Sequence, residues 1–224
     1  SFTYSTITGR ENVPVIYASF YDALRFANWL HNGQPVGEQG AATDGGAYTI
    51  TAQGLSNNTI TRNTGATFFL SSEDEWYKAA YYDSDSMSYF DYPAGTSTRT
   101  VCEAPGPTAN WANCDLVVGN SIDVASYTGS ASPYGTFDQG GNASEWNEAI
   151  IGNSSRGTRG GGFDGSAGHL AASNRNVVVG PAGSMGFRVA SPASVAPPVP
   201  SLSPLAFALL ATLMGVVGIR RLRA

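Results

Sequence analysis

Phe69–Ala80 reads FLSSEDEWYKAA. Ser72 followed three residues later by Glu75 is a capping box, in which each side chain satisfies the other's free backbone N–H at a helix start. The spacing predicts a strand-like Phe68–Leu70 leading into a helix that runs through Trp76, Ala79 and Ala80 to Tyr82. The same grammar recurs upstream. Ser19 and Asp22 cap a second helix whose Phe20, Ala23, Leu24, Ala27 and Leu30 share one face, and Gly33 stops it. Val13–Tyr17 (VPVIY) reads as a short strand before that helix, and AYTIT at 47–51 as part of a hairpin. These two helices are the only ones expected in the body. Beyond Asp83 the apolar pieces are short and broken by Gly, Pro, Asn and Ser, so loops dominate.

The chain has 224 residues, of which 42% are apolar and 13% charged, enough for one core of ordinary size. Disorder and coiled coil are excluded by the aromatic content and the absence of heptads. The charged fraction is about half that of a usual soluble domain, which suits an extracytoplasmic or membrane-apposed protein. Net charge is −5. With Arg220, Arg221 and Arg223 set aside, nine basic residues stand against 17 acidic ones, a net −8. Such a body repels phosphate backbones, so no nucleic-acid partner is expected.

Leu205–Ile219 (LAFALLATLMGVVGI) carries a single polar residue, Thr212, and the arginines follow at once. An apolar helix without a polar face, closed by a basic cluster, predicts a transmembrane segment with cytoplasmic arginines. The domain organisation expected is an extracytoplasmic body at 1–190, a Pro-rich linker at 191–204 and the anchor at 205–224. The localisation is then a bacterial membrane, single-pass, with the body periplasmic or extracellular. Ser1 follows no Met or apolar leader, as expected of an exported, processed product. In an oxidising compartment the only two cysteines, Cys102 and Cys114, are expected to form a local disulfide across a Pro/Gly-rich loop. The Val-Pro-Ser-Leu-Ser-Pro stretch, apolar helix and arginine cluster resemble PEP-C-terminal sorting tails, though the Glu of the commonest form is missing. In that family a sorting enzyme cuts near the proline motif.

Four segments in fixed order resemble the sulfatase-modifying-factor family, the domain of formylglycine-generating enzymes. They are Pro14–Leu30 (PVIYASFYDALRFANWL), Phe69–Ala80, Ser132–Trp146 (SPYGTFDQGGNASEW), and Arg159–Phe163 (RGGGF) with Gly186–Ala190 (GFRVA). The resemblance implies an α+β, C-type-lectin-like, loop-rich fold with two short helices and small antiparallel sheets, plus the C-terminal transmembrane helix.

The family's enzymes use a copper-binding cysteine pair between the Gly-Asn-x-x-Glu-Trp and Gly-Phe-Arg motifs. Residues 147–185 contain no cysteine, and soft Cu(I) needs thiolate. The related iron sulfoxide synthases need three histidines; only His31 and His169 exist here. The expectation is therefore a non-catalytic protein. Calcium is the cofactor the resemblance does imply, as a structural ion. One site corresponds to Asn110, Trp111, Asp115 and Val117, the other to Gly141, Asn142, Ala143 and Glu145. The alternative for the same residues is that Asn110 and Asn142 satisfy turn backbone and Glu145 pairs with Arg159 or Arg188.

Trp29, Trp76 and Trp146 are expected in the core, and Trp111 in a loop. Asp83, Asp85 and Asp91 with Tyr81, Tyr82, Tyr89 and Tyr92 form an acidic, tyrosine-rich loop, read as solvated or as an interaction surface. The function expected is an external lectin-like binding or assembly domain, an accessory subunit of a membrane or cell-surface complex with a carbohydrate or protein ligand. The alternatives are an exported enzyme built on Asp164, His169 and Arg175, or an adhesin released by tail cleavage.

Overall fold

The structure is a computed structural model, which describes residues 7–36, 43–178 and 183–192. The linker and anchor expected at 191–204 and 205–224 lie outside the described residues from 193 onward. Among the described residues no helix is long and apolar enough to cross a membrane.

Both capped helices form where the capping boxes place them. Helix α1 spans Phe20–His31, with Ser19 accepting from the Asp22 backbone N–H and Asp22 accepting from that of Ser19. Its apolar stripe is buried: Phe20, Ala23, Leu24 and Ala27 pack with Leu70, Trp146 and Met185 in the main core. A further helix, α2, spans Ala52–Asn57 and was not expected from the sequence. Thr51 caps it by accepting from the Gly54 N–H, and Asn58 ends it in the left-handed conformation (φ 53°). Its six residues show too little periodicity to stand out from a polar loop. In place of a hairpin around AYTIT, Tyr48 makes an isolated bridge to Arg62. The third helix, α3, spans Glu73–Tyr81 and repeats the reciprocal cap between Ser72 and Glu75. A 3-10 turn follows much later at Ala167–Leu170.

Val13–Tyr17 forms no strand. Tyr17 takes φ 61°, which breaks the extended run just before Ser19, and the chain is tied to the sheet at Ala18, whose N–H donates to the Met185 carbonyl and whose carbonyl accepts from the Trp146 indole.

The strands are short: β1 (Phe69–Leu70), β2 (Tyr82–Asp83), β3 (Ser88–Tyr89), β4 (Val101–Cys102), β5 (Trp111–Ala112), β6 (Ser144–Ile151), β7 (Ser155–Arg159), β8 (Asn176–Val178), β9 (Met185–Phe187) and β10 (Val189–Ala190). The largest sheet has the order β8-β7-β6-β9. It is mixed, because β6 and β9 run parallel, and so do β4 and β5. The expectation of antiparallel sheets alone is thus corrected. A parallel pair needs a long crossover, and β7, the 3-10 turn and β8 supply it between β6 and β9. The register of β6 against β7 shifts between Trp146 and Ile150. This bulge turns Asn147 and Glu148 toward the start of α3, where Asn147 donates to Glu73 and the Glu148 N–H donates to the Ser71 carbonyl. The described residues through Ser191 belong to one folding unit.

Candidate functional site

Cys102 and Cys114 are joined. Cys114 is fully buried against Ala112, Ala167 and Leu170, so the bond links β4 and the loop after β5 to the layer carrying the 3-10 turn. Both thiols of the chain are consumed in it.

Glu145 is the second residue of β6, beside the conformationally demanding Gly141–Asn142 turn. A Cβ on Gly141 (φ +84°) would meet the Asn113 carbonyl oxygen at 2.5 Å, so a side chain is excluded there. Asn142, itself at φ 63° and buried, accepts from Asn113 and from the Ile122 N–H, and donates to the Ile122 carbonyl. Glu145 is 6% exposed. One of its oxygens accepts from the Trp76 indole at 2.7 Å and from Arg188 Nε at 2.5 Å, and the other accepts from Arg188 Nη2 at 2.6 Å. Burial works against the Arg188 charge, yet the Glu145 carboxylate outweighs it and the guanidinium pKa is raised. Of the two partners weighed for Glu145, Arg188 is the one found; Arg159 instead pairs with Glu73. A calcium ion does not fit Gly141, Asn142, Ala143 and Glu145 in this arrangement. The carboxylate already carries a cationic fork, and the Asn142 side chain is spent on the turn.

The other calcium group is spread over two surroundings. Asn110 (φ 61°) accepts from the Thr100 hydroxyl and donates to the Thr98 and Arg99 carbonyls. Trp111 follows in β5, its N–H donating to the Ser130 hydroxyl. Asp115 is exposed, its N–H bonded to the Gly165 carbonyl, and Val117 is exposed. Among the described residues no three His, Cys, Asp or Glu side chains gather as metal ligands would.

Asp164, His169 and Arg175 are all exposed on the segment that follows β7. They line neither of two concavities among the described residues. The smaller is a pocket of about 20 Å³, room for one water, lined by Trp111, Tyr127, Asp138 and Leu170 among others. Asp138 sits at φ 58° and accepts from the Ala125 N–H at 2.7 Å. Burial raises its pKa, the Ala125 bond opposes this, and Glu145 adds to the rise. An acid shifted upward contributes stability that is complete below the ordinary value of 3.8 and is lost as pH climbs through the folded-state value. Asp138→Asn keeps an acceptor for Ala125 and tolerates the left-handed backbone. The variant is expected to match the wild-type unfolding midpoint near pH 3 and to exceed it at pH 7. Equal midpoints at pH 7 in a urea titration would refute the assignment.

The larger concavity, about 320 Å³, lies over the start of α3 and is lined by Arg62, Glu73, Asp74 and Glu148 with Thr61, Ser72 and Ala149. Arg62 is heavily engaged there. It forks onto Glu148 and Glu75, donates to the Leu70 carbonyl and lies 3.7 Å from the centre of the Phe69 ring. Tyr48 donates to Glu148 at 2.5 Å, and burial is the main cause of its raised pKa. These contacts tie α1's neighbour Tyr48, α3 and the β6 bulge together.

The acidic, tyrosine-rich loop forms a defined surface. Tyr77 on α3, Tyr82 on β2 and Tyr89 on β3 are in ring contact, and Tyr134 joins through Tyr82. Tyr81, expected in the same loop, is fully buried on α3 and donates to the Leu170 carbonyl. Trp76 and Trp146 are core residues as expected, while Trp29 is half-buried with its indole donating to the Pro35 carbonyl.

The chain's relatives agree with this architecture. Treponema denticola variable protein 1 superposes with a TM-score of 0.54 at 22% identity, covering 85% of this chain and 76% of that one. The crystal structure of CarF gives a TM-score of 0.51 at 24% identity, covering 79% of this chain and 66% of that one. At such identities the likeness is one of fold. No curated protein matches the chain. The sulfatase-modifying factor enzyme 1-like domain matches residues 2–193, which take in every described residue, and the chain belongs to that family.

Proposed function

We propose that the chain is a non-catalytic member of its family, a lectin-like domain used for binding or assembly and held at the outer face of a bacterial membrane by the apolar 205–219 segment. One observation carries the non-catalytic part. Both cysteines are locked in the Cys102–Cys114 disulfide, and the segment from Asn147 to Met185, where the family's enzymes place their copper pair, supplies no thiol. Soft Cu(I) has no ligand set there. In that segment stand the 3-10 turn, with Ala167 and Leu170 turned into the core, and exposed Asp164, His169 and Arg175, which line neither of the two concavities described above. Glu145, the buried carboxylate of the third motif, is engaged by Arg188 and Trp76.

The test is one preparation taken through two steps. The full-length chain is expressed with an export signal, and membranes are washed with alkaline carbonate before detergent extraction and Cu(I) titration. The chain is expected to stay in the washed membranes. Once extracted, it is expected to withdraw no Cu(I) from bicinchoninate and to leave the cysteine of a sulfatase-type peptide unconverted. Release into the wash would overturn the anchor, and stoichiometric Cu(I) capture with formylglycine formation would overturn the non-catalytic reading.

A further inference from the structure

We propose that the tyrosine ladder of Tyr77, Tyr82, Tyr89 and Tyr134 docks an arginine- or lysine-bearing segment of a partner polypeptide. The inference rests on the binding-domain reading and names the chemistry of its ligand. The ring centres of Tyr77 and Tyr89 lie 5.3 Å apart, those of Tyr82 and Tyr89 4.9 Å, and those of Tyr82 and Tyr134 6.4 Å. Tyr89 is 50% and Tyr134 49% exposed, and Met87 at the hairpin tip is 79% exposed. Large side chains held at the surface in mutual contact form a prepaid contact face, since little rotamer freedom is left to lose on binding.

Two observations favour a cationic ligand. The chain's own cations already use these rings: Lys78 Nζ sits 5.3 Å from the Tyr82 centroid, and the Arg159 guanidinium 5.0 Å from that of Tyr77. An aromatic face attracts such charges through its quadrupole. The rim is also anionic. Asp83 ends β2 and Asp85 lies in the turn that follows, and hydrogen bonds from the Ser86 side chain and the Asp85 backbone hold the Asp83 pKa below its ordinary value, so it stays charged. The body's net negative charge extends the attraction. The geometry disfavours a flat sugar platform. Neighbouring rings are tilted by 42° and 55°, and only Tyr82 and Tyr134 are close to parallel, at 24°. Splayed faces suit cations arriving along a strand better than one planar pyranose.

The experiment titrates the detergent-extracted full-length chain with an (Arg-Gly)4 peptide, an (Glu-Gly)4 peptide and maltopentaose, in 0.15 M salt. Only the arginine peptide is expected to bind. Two exposed cation–ring contacts account for about a tenfold loss in affinity in the double variant Tyr89→Ala, Tyr134→Ala. The distant control pair Glu11→Gln, Asp123→Asn removes two negative charges from elsewhere while leaving the rings intact, and is expected to leave binding within about twofold, since screened surface charges contribute little at that salt. Equal loss in both variants would make the attraction diffuse and overturn the proposal. Binding of maltopentaose alone would overturn it in favour of a glycan. Hydrogen exchange on the wild-type chain covers the case where the tyrosine variant unfolds: protection by the arginine peptide is expected at 82–89 and around 134, and protection confined elsewhere refutes the site. None of these outcomes alters the copper result, so failure here and failure of the non-catalytic reading are separable.

Discussion

Arg188→Met is expected to destabilise the domain by about 3 kcal/mol, because removing one partner of a buried pair strands the other charge. Glu145 would keep the Trp76 indole as its sole neutral donor, and the Phe137 carbonyl would lose the Arg188 donor it now has. Methionine fills much of the arginine's volume, so the loss is one of electrostatics rather than of packing. In urea the midpoint should fall by roughly 1 M for a domain of this size. The companion variant Glu145→Gln with Arg188→Met removes both charges and should recover a large part of the loss. A single-variant shift below about 1 kcal/mol would show that water or another cation compensates Glu145. The same pair decides the calcium question at this turn. With the guanidinium as resident cation, calcium has no carboxylate to take. A calcium-dependent rise in the wild-type midpoint that Glu145→Gln abolishes would overturn this.

What could be read in advance follows the range of the interaction. Ser19 with Asp22 and Ser72 with Glu75 are contacts between residues three apart, so both helix starts are legible in the chain and both form. The four family segments likewise locate the core, since Phe20, Leu24, Leu70, Trp76 and Trp146 lie within them and are buried. Helix α2 escaped because six residues with Gly54 at their centre carry no apolar stripe; its stability comes from the Thr51 cap and the Ile60 side chain against Gly54. The choice of Arg188 over Arg159 for Glu145 is made across 43 residues by the parallel pairing of β6 with β9. No local pattern encodes that pairing. Nor does any encode the bulge after Trp146, which delivers Glu148 to Arg62 and Tyr48. The tyrosine ladder was visible as composition, while the burial of Tyr81 and the arrival of Tyr134 from a distant loop belong to the fold alone.

The double variant Cys102→Ser, Cys114→Ser is expected to lose about 3 kcal/mol, the chain-entropy value for a closed loop of this length. The two residues are 12 apart. The loop between them contains two prolines, a glycine and the two-residue strand β5. Only two residue pairs register β4 against β5, Val101 with Trp111 and Cys102 with Ala112, and so short a ladder gives the segment little cooperative support of its own. Without the cross-link the unfolded chain regains its loop freedom, and the buried Cys114 position must hold a serine hydroxyl among Ala112, Ala167 and Leu170. The loss should therefore be local first. Limited proteolysis is expected to cut within 103–110 in the variant and in the reduced wild-type chain, at concentrations of protease that leave the oxidised chain whole. Global unfolding should follow at a midpoint lower by roughly 1 M urea. Reduction of the wild type separates the two contributions, since it restores the loop freedom without introducing a hydroxyl. If reduced wild type and the serine variant unfold together, the cross-link's entropy dominates; if only the variant falls, the cost lies in the buried polar group. An unchanged midpoint and cleavage pattern in both would mean that β4, β5 and the Asn110 turn hold this loop without the bond, and the disulfide's stabilising role would be refuted.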